Sequence, residues 1–472
     1  MAIARKIAYN VIFSVVTKIL STILALVGIG FITRYLGKEG FGDYSTVLAF
    51  FAFFGSAADL GLYGITAREI SRPDADEKKI ISNALALRLS SSLLVFFITP
   101  LFVYFLPYSS DVKFGILIAA ASFVFSTTYM VLNGVFQKNL AMDKVASAEV
   151  LGKILQILII ILAVKLNLGF LAIIFSVLAS MILNFAIILL LARKYVSLSL
   201  QFDFAYWKKF LREAAPLGFA SLIIFVYFKI DTILLSILKT NTEVGLYNAA
   251  YKVLENITFF PAMIIGLLFP LFSRHIFSDK AEFSRIANET LKVFVLLLVP
   301  LVIGVLFLAE GVIKLIGGNA FAQSANILRI LIFAVVFIFF GSLFNNILTA
   351  GKHQKKMILP LILCAIFNIT ANLIFIPHYS YNAAAVTSVL TEFFVAMAGF
   401  FLVSKYVNFK PKFVNLPRIL FSGLMMSLFL VVFYKATFFL LVLSSTGVYL
   451  LFLWLTKTVT IKELASIFTP SK

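Results

Sequence analysis

Charge, cysteine and histidine are all scarce in this chain of 472 residues. Charged residues make up 13% of it, where soluble domains carry about 25%. The single cysteine, Cys364, lies inside an apolar block, which excludes a disulfide, a CxxC redox pair and a cysteine metal cluster. The three histidines, His275, His353 and His378, are scattered through expected loops, and no Ser/His/Asp spacing emerges. Glycines are present, but Gly317–Gly318 and the others lack the Lys-Ser/Thr of a phosphate-cradling loop, which argues against an ATP-driven pump. No large polar segment rich in acidic residues is present, which argues against a glycosyltransferase. Short alternating strands are also missing, and with them the pattern of a membrane β-barrel. No cofactor is expected.

What remains is apolar. Hydrophobic residues make up 62% of the chain and come in long blocks, not amphipathic stripes. A run of about 20 apolar residues is a membrane-spanning helix. The chain therefore reads as an all-α integral membrane protein with about fourteen transmembrane helices. They are expected at 10–34, 42–66, 83–106, 114–137, 147–165, 169–192, 213–238, 244–272, 289–309, 326–350, 356–376, 382–404, 416–434 and 437–456. The N-terminal stretch has Arg5 and Lys6 before an apolar run. That run is too long for a signal peptide and lacks a small-residue cleavage site, so it reads as a retained first span.

The formal charge of +19 would suggest nucleic acid in a soluble protein. Here the basic residues crowd alternate loops, among them Arg68, Arg72, Lys78, Lys79, Lys208, Lys209, Lys352, Lys355 and Lys356. The opposite loops are poor in Lys and Arg. This is the bias that orients membrane proteins, so both termini are expected in the cytoplasm and no nucleic-acid partner is expected.

Two similar halves are expected. Gly42–Asp43–Tyr44 and Gly245–Leu246–Tyr247 open corresponding spans about 203 residues apart. Asn133 matches Asn346, and Ser176–Val177–Leu178 matches Ser388–Val389–Leu390, at offsets near 212. Residues 1–195 and 213–405 thus read as two parallel six-helix lobes. Residues 196–212 form a cytoplasmic linker. Its aromatic cluster beside Lys208 and Lys209 suggests a short interfacial helix on anionic lipid, or one that handles a lipid-linked substrate. Residues 406–472 add two helices and a tail.

The informative residues are charges inside spans, where each costs roughly 2.5–3.5 kcal/mol on insertion scales. Lys18, Asp59, Arg88 and Lys153 lie toward the cytoplasmic side of the first half. Lys229, Asp231, Lys252 and Glu255 lie toward the outer side of the second, and Glu392 stands alone in the twelfth span. Lys252 and Glu255 share a helix face and can pair. Lys229 and Asp231, two residues apart, cannot both face one cavity. Lys153 and Arg88 can reach the inner surface or line a cavity. Asp231 is either a structural partner or a cation site. The intramembrane prolines, such as Pro100, Pro261, Pro270, Pro300 and Pro360, can serve bending or fixed kinks alike.

The segment from Asp231 to Arg274, with VGLYNAAYKV and FPLFSR, resembles the polysaccharide transporter family, the O-antigen-type flippases. So does RYLGKEGFGDYSTVLAFFAFFGSAADLGLYGITAREISR, from Arg34 to Arg72. The family belongs to the superfamily that also holds the multidrug and toxin extruders. The resemblance implies a fold of two six-helix lobes plus two helices. It implies movement of an isoprenoid-diphosphate-linked oligosaccharide across the cytoplasmic membrane for surface polysaccharide, with no enzymatic step. Polysaccharide polymerases or other assembly proteins would be partners alongside membrane lipids. A sugar-diphosphate headgroup needs Lys or Arg in place of water. Lys18, Arg88, Lys153, Lys229 and Lys252 are the candidates for the phosphates. Asp59, Asp231, Glu255 and Glu392 are candidates for a coupling ion or charge pairs. The rival reading is a cation-coupled drug or metabolite exporter on the same scaffold. An integral-membrane polymerase would need a large external loop, and none is present.

Overall fold

In hydrocarbon every backbone N–H and C=O must be satisfied within its own segment, so long apolar runs become helices. The computed structural model describes residues 2–59, 62–70 and 75–458, and among them no strand occurs. The helices are α1 (Ala2–Asp59), α2 (Leu62–Ile70), α3 (Glu77–Tyr104), α4 (Ser110–Lys138), α5 (Met142–Lys165), α6 (Gly169–Ala192) and α7 (Phe204–Leu238). They continue as α8 (Asn241–Ile257), α9 (Phe259–Ser278), α10 (Lys280–Gly317), α11 (Ser324–Ala350), α12 (Ile358–Tyr406), α13 (Leu416–Val432) and α14 (Phe438–Leu455). The side chain of Asp59, the whole of Arg72 and the tail from 459 lie outside the described residues.

The expected spans fall in these helices, with three differences. First, α1 carries the first span and the second as far as Asp59, with α2 taking up its end, and turns at Gly37 (φ 66°, ψ −169°), a backbone conformation glycine tolerates. Likewise α12 carries the eleventh and twelfth spans and turns at Ser380 (φ 51°, ψ −135°). Second, the expected span 244–272 is two helices, α8 and α9, separated at Thr258. Pro261 has no N–H for the Ile257 carbonyl and its ring crowds that oxygen, which ends α8 there. Third, residues 204–212 are not a separate interfacial helix but the first turns of α7. Asp203 caps that helix by accepting the Tyr206 N–H at 2.9 Å. A capped start followed by unbroken helical residues leaves nothing to separate the amphipathic turns from the span.

The Cα atoms group into two compact units. The first holds Met1–Asn248 with Ile316–Ala320 and Ala365–Ala384. The second holds Ala249–Leu315, Phe321–Cys364 and Ala385–Lys472. In the first, α4 packs against α1, α2, α3 and α6, and its Phe123 and Phe136 are wholly buried.

The internal repeat is visible in local detail. Asp76 Oδ1 caps α3 by accepting Lys79 N–H at 3.0 Å, and Asp279 Oδ1 caps α10 by accepting Glu282 N–H at 3.0 Å. The turn after α4 places Leu140 at φ 50° with Ala141 N–H donating to Phe136 O, 2.8 Å. The turn after α11 places Lys352 at φ 61° with His353 N–H donating to Leu348 O, 2.7 Å. Asn83 Oδ1 accepts Asp203 N–H at 3.0 Å, and Asn288 Oδ1 accepts Lys412 N–H at 2.7 Å. Each half thus ties the segment after its sixth span to an asparagine near the start of its third.

The glycines of the two G-x-Y motifs meet reciprocally. A β-carbon on Gly42 would overlap the carbonyl of Asn241, and one on Gly245 would overlap the carbonyl of Lys38. Asn241 lies 203 residues beyond Lys38, as Gly245 does beyond Gly42, so the contact is symmetric between the repeats. Thr240 and Glu243 fix the approaching turn as a capping box, with Thr240 N–H donating to Glu243 Oε2 at 3.0 Å. Glu243 Oε1 also accepts the Ser380 hydroxyl, 2.5 Å, and Lys239 Nζ donates to Pro377 O, 2.9 Å.

Candidate functional site

The candidate charges separate into different environments. Lys18 on α1 and Lys153 on α5 come close enough to repel one another. A β-carbon placed on Gly28 of α1 would meet Ile157 and Ile160 of α5 at 3.6 and 3.7 Å, so the two helices pack closely there. About ten residues before that contact, on each helix, stand Lys18 and Glu149, which attract each other. Lower numbers pair with lower numbers, so α1 and α5 run in the same sense.

Glu149 was not among the residues singled out from sequence. It sits one turn before Lys153, but Lys153 Nζ donates instead to Gln156 Oε1 at 2.9 Å. The Glu149 carboxylate lies within electrostatic reach of Lys18 on α1 and of Tyr129 on α4. A candidate acid at the edge of an apolar block looks like a helix-end residue. Only the start of α5 at Met142 shows that it lies inside the helix.

The same boundary moves Lys153 to the midpoint of α5. For a span centred on the bilayer the interface is then about 15 Å away, half the hydrocarbon thickness, which is more than a lysine stem spans. Lys18 and Glu149 are exposed and Lys153 is half-buried. Accessible charges at this depth belong in water rather than lipid.

Arg88 is a different case. It is 1% exposed, the largest of the fully buried side chains, and its Nε donates to Thr127 O of α4 at 3.3 Å. This places it in the α3–α4 packing. Asp231 is also 1% exposed, and its Oδ2 accepts the Tyr247 hydroxyl at 2.6 Å. One residue along, Thr232 donates to Asn248 Oδ1 at 3.2 Å. Lys229, two residues away, is only half-buried.

In the second unit, Lys252 Nζ pairs with Glu255 Oε2 at 2.7 Å, the i,i+3 pair that their spacing allows. Glu392 is 7% exposed and lies beside Cys364. Among the described residues, no group of His, Cys, Asp and Glu is arranged to hold a metal ion.

Where α3 and α7 begin, Asp203 is held below the usual carboxylate range. The Tyr206 N–H is the main cause and the nearby Lys79 ammonium adds to it. The Lys79 Nζ to Asp203 Oδ2 distance is 3.6 Å.

Residues 7–276, more than half the chain, match the family described as polysaccharide biosynthesis protein. The chain belongs to that family. It is 28% identical over 327 residues to "Capsular polysaccharide biosynthesis protein CapF" of Staphylococcus aureus, covering 68% of this chain and 81% of the relative. It is 22% identical over 412 residues to "Probable low-salt glycan biosynthesis flippase Agl15" of Haloferax volcanii, covering 86% and 85%. The fold matches "Lipid II flippase MurJ, inward closed conformation" with a TM-score of 0.77. That match covers 97% of this chain and 98% of the other at 17% identity. The polysaccharide biosynthesis fold is thus the all-α, multi-pass membrane fold expected from composition.

Proposed function

We propose that this protein is a flippase that carries an isoprenoid-diphosphate-linked oligosaccharide across the cytoplasmic membrane for surface polysaccharide assembly. The six-span halves, 1–195 and 213–405, work by alternating access, with both termini in the cytoplasm. The lipid tail stays in the bilayer while the headgroup crosses. No bond is made or broken, so the protein is not an enzyme.

The observation that carries this reading is the accessible pair Lys18 and Lys153, at depth on two adjacent helices of a family member. Two ammonium groups replace the water around a diphosphate. Lys252 and Lys229 are further candidates along the path. The buried acids Asp231 and Glu392 are candidates for a coupling ion. A cation exporter on the same scaffold would need acid in excess at the accessible site. Here Glu149 is outnumbered by Lys18 and Lys153.

The test is a strain deleted for this protein and restored with variants. Lys18→Ala with Lys153→Ala should abolish surface polysaccharide at normal membrane abundance. Normal polymer from the double variant refutes the reading.

A further inference from the structure

The turns after α4 and α11 are alike in backbone and unlike in charge. Leu140 and Lys352 take the same left-handed conformation. Counting from them, Leu140, Ala141 and Asp143 stand where the later turn has Lys352, His353 and Lys355, and Lys144 matches Lys356. The first turn neutralises its lysines within the chain. Lys144 Nζ meets Asp143 Oδ2 at 3.3 Å, and Lys138 Nζ meets Glu77 Oε1 at 2.6 Å. The second turn does not. Lys356 and Lys405 hold their Nζ atoms 5.4 and 5.5 Å from the ring centroid of Tyr406, and the His353 ring lies 5.3 Å from it. Lys352 Nζ lies 5.9 Å from the Phe277 ring centroid. A ring face attracts a cation but carries no countercharge. Among the described residues, Lys352, Lys355, Lys356 and Lys405 have no carboxylate partner. On α10, which begins just after Phe277, Asp279 caps the helix and Glu282 holds Arg285 through both oxygens. The first turn of α12 holds no acid either, so its positive dipole end adds to the excess.

We propose that the turn Lys352–Lys356, together with Lys405 and Tyr406, is a binding surface for an anionic phospholipid, whose headgroup supplies the missing negative charge. The four lysines are exposed, so a headgroup reaches them without any core side chain moving. The neighbouring side chains favour a lipid over other polyanions. Leu359 and Leu363, three and seven residues beyond Lys356 on α12, are 64% and 57% exposed. Phe401, one turn before Lys405, is 61% exposed. A nucleic acid or an acidic peptide would leave these apolar groups uncovered, whereas acyl chains cover them while the phosphate stays at the lysines. Basic side chains at the edge of an apolar surface are the chemistry that selects anionic lipid. This surface is independent of what the protein transports.

The probes are dihexanoylphosphatidylglycerol and dihexanoylphosphatidylcholine, which share chains and phosphate but differ in net charge. Their binding is measured by microscale thermophoresis on the purified full chain in neutral detergent. A lysine near anionic lipid contributes about fivefold in affinity. Lys355→Gln with Lys356→Gln should therefore weaken phosphatidylglycerol about tenfold or more and leave phosphatidylcholine within about twofold. Lys138→Gln with Lys144→Gln removes the same charge from the first turn, where the lysines are already paired, and should leave phosphatidylglycerol within about twofold of wild type. Lys405→Gln should cost about fivefold on its own, and it carries the test should the Lys355–Lys356 double variant not yield folded protein. Equal losses from the two double variants assign the binding to net charge and overturn the site. Unchanged binding in the Lys355–Lys356 double variant and in Lys405→Gln overturns it as well. Inorganic phosphate competing at the same concentration as phosphatidylglycerol shows a free-anion site and overturns the lipid assignment.

Discussion

Gly42→Ala tests whether the reciprocal glycine contact controls the transport cycle. The new β-carbon would stand 2.6 Å from the Asn241 carbonyl carbon, where ordinary contact begins at 3.4 Å. The α7–α8 turn must therefore retreat by about 0.8 Å at that atom, and further at the carbonyl oxygen. It is not free to do so. The Thr240–Glu243 capping box and the Glu243–Ser380 and Lys239–Pro377 bonds hold the turn. Overpacking of this kind costs about 1–3 kcal/mol. If the contact forms only when the outer side is closed, that energy shifts the balance toward the open-outside state by about 5–150-fold. The assay is a single cysteine at Asn241 in a Cys364→Ser background, with Gly42 intact or as Ala, labelled from outside by an impermeant thiol reagent. Labelling should quicken in Gly42→Ala, and surface polysaccharide should fall at normal abundance. Gly245→Ala, whose β-carbon would meet Gly42 N at 3.1 Å and overlap the Lys38 carbonyl, should behave alike. Unchanged labelling with unchanged polymer from both variants refutes the gate. A variant that merely loses abundance assigns the contact to stability alone.

Other expectations concern the buried charges and the cytoplasmic cap. Arg88→Ala should lower membrane abundance and thermal stability by on the order of 2–3 kcal/mol, through lost packing and an emptied site between α3 and α4, unlike Lys18→Ala. A thermal shift assay separates them, and equal stability of the two variants would count against a packing role for Arg88. Asp231→Ala should cost about 1–3 kcal/mol by leaving the Tyr247 hydroxyl without its acceptor. Tyr247→Phe and the double variant should then be non-additive in a thermal double-mutant cycle, and strict additivity would show the bond contributes nothing. Asp203→Ala should reduce stability at neutral pH. Because the folded carboxylate titrates below the ordinary value of about 3.9, its contribution is complete above that pH and fades as pH falls through the lowered value. A wild-type to variant gap in melting temperature that stays constant down to pH 2 would contradict that ionised cap.

Sequence reading reached the class and most span positions because each depends on local pattern. Hydropathy over 20 residues needs no knowledge of neighbours, and the backbone rule in lipid turns it directly into helix. The repeat showed as a few matched residues because those positions answer to backbone constraints. Gly42 and Gly245 are small since another chain segment lies against them. The boundaries of α5 and the break at Thr258 were less legible. Helix length inside a bilayer is set by caps and packing, and an apolar block runs through both. The Glu149 omission follows from that boundary error. Arg88 and Lys153 looked equivalent as basic residues near an inner surface. The structure makes one a core residue and the other a mid-span charge.

From its sequence alone, this protein is determined to be a multi-pass helical membrane protein with charges embedded in its apolar spans. Composition, periodicity and charge bias settle these because they act residue by residue along the chain. What each charge does was decided only by tertiary structure. Whether a lysine meets a carboxylate, a carbonyl or water depends on which helix lies beside it. That neighbour is chosen by packing between segments more than a hundred residues apart, as with Lys18 and Glu149.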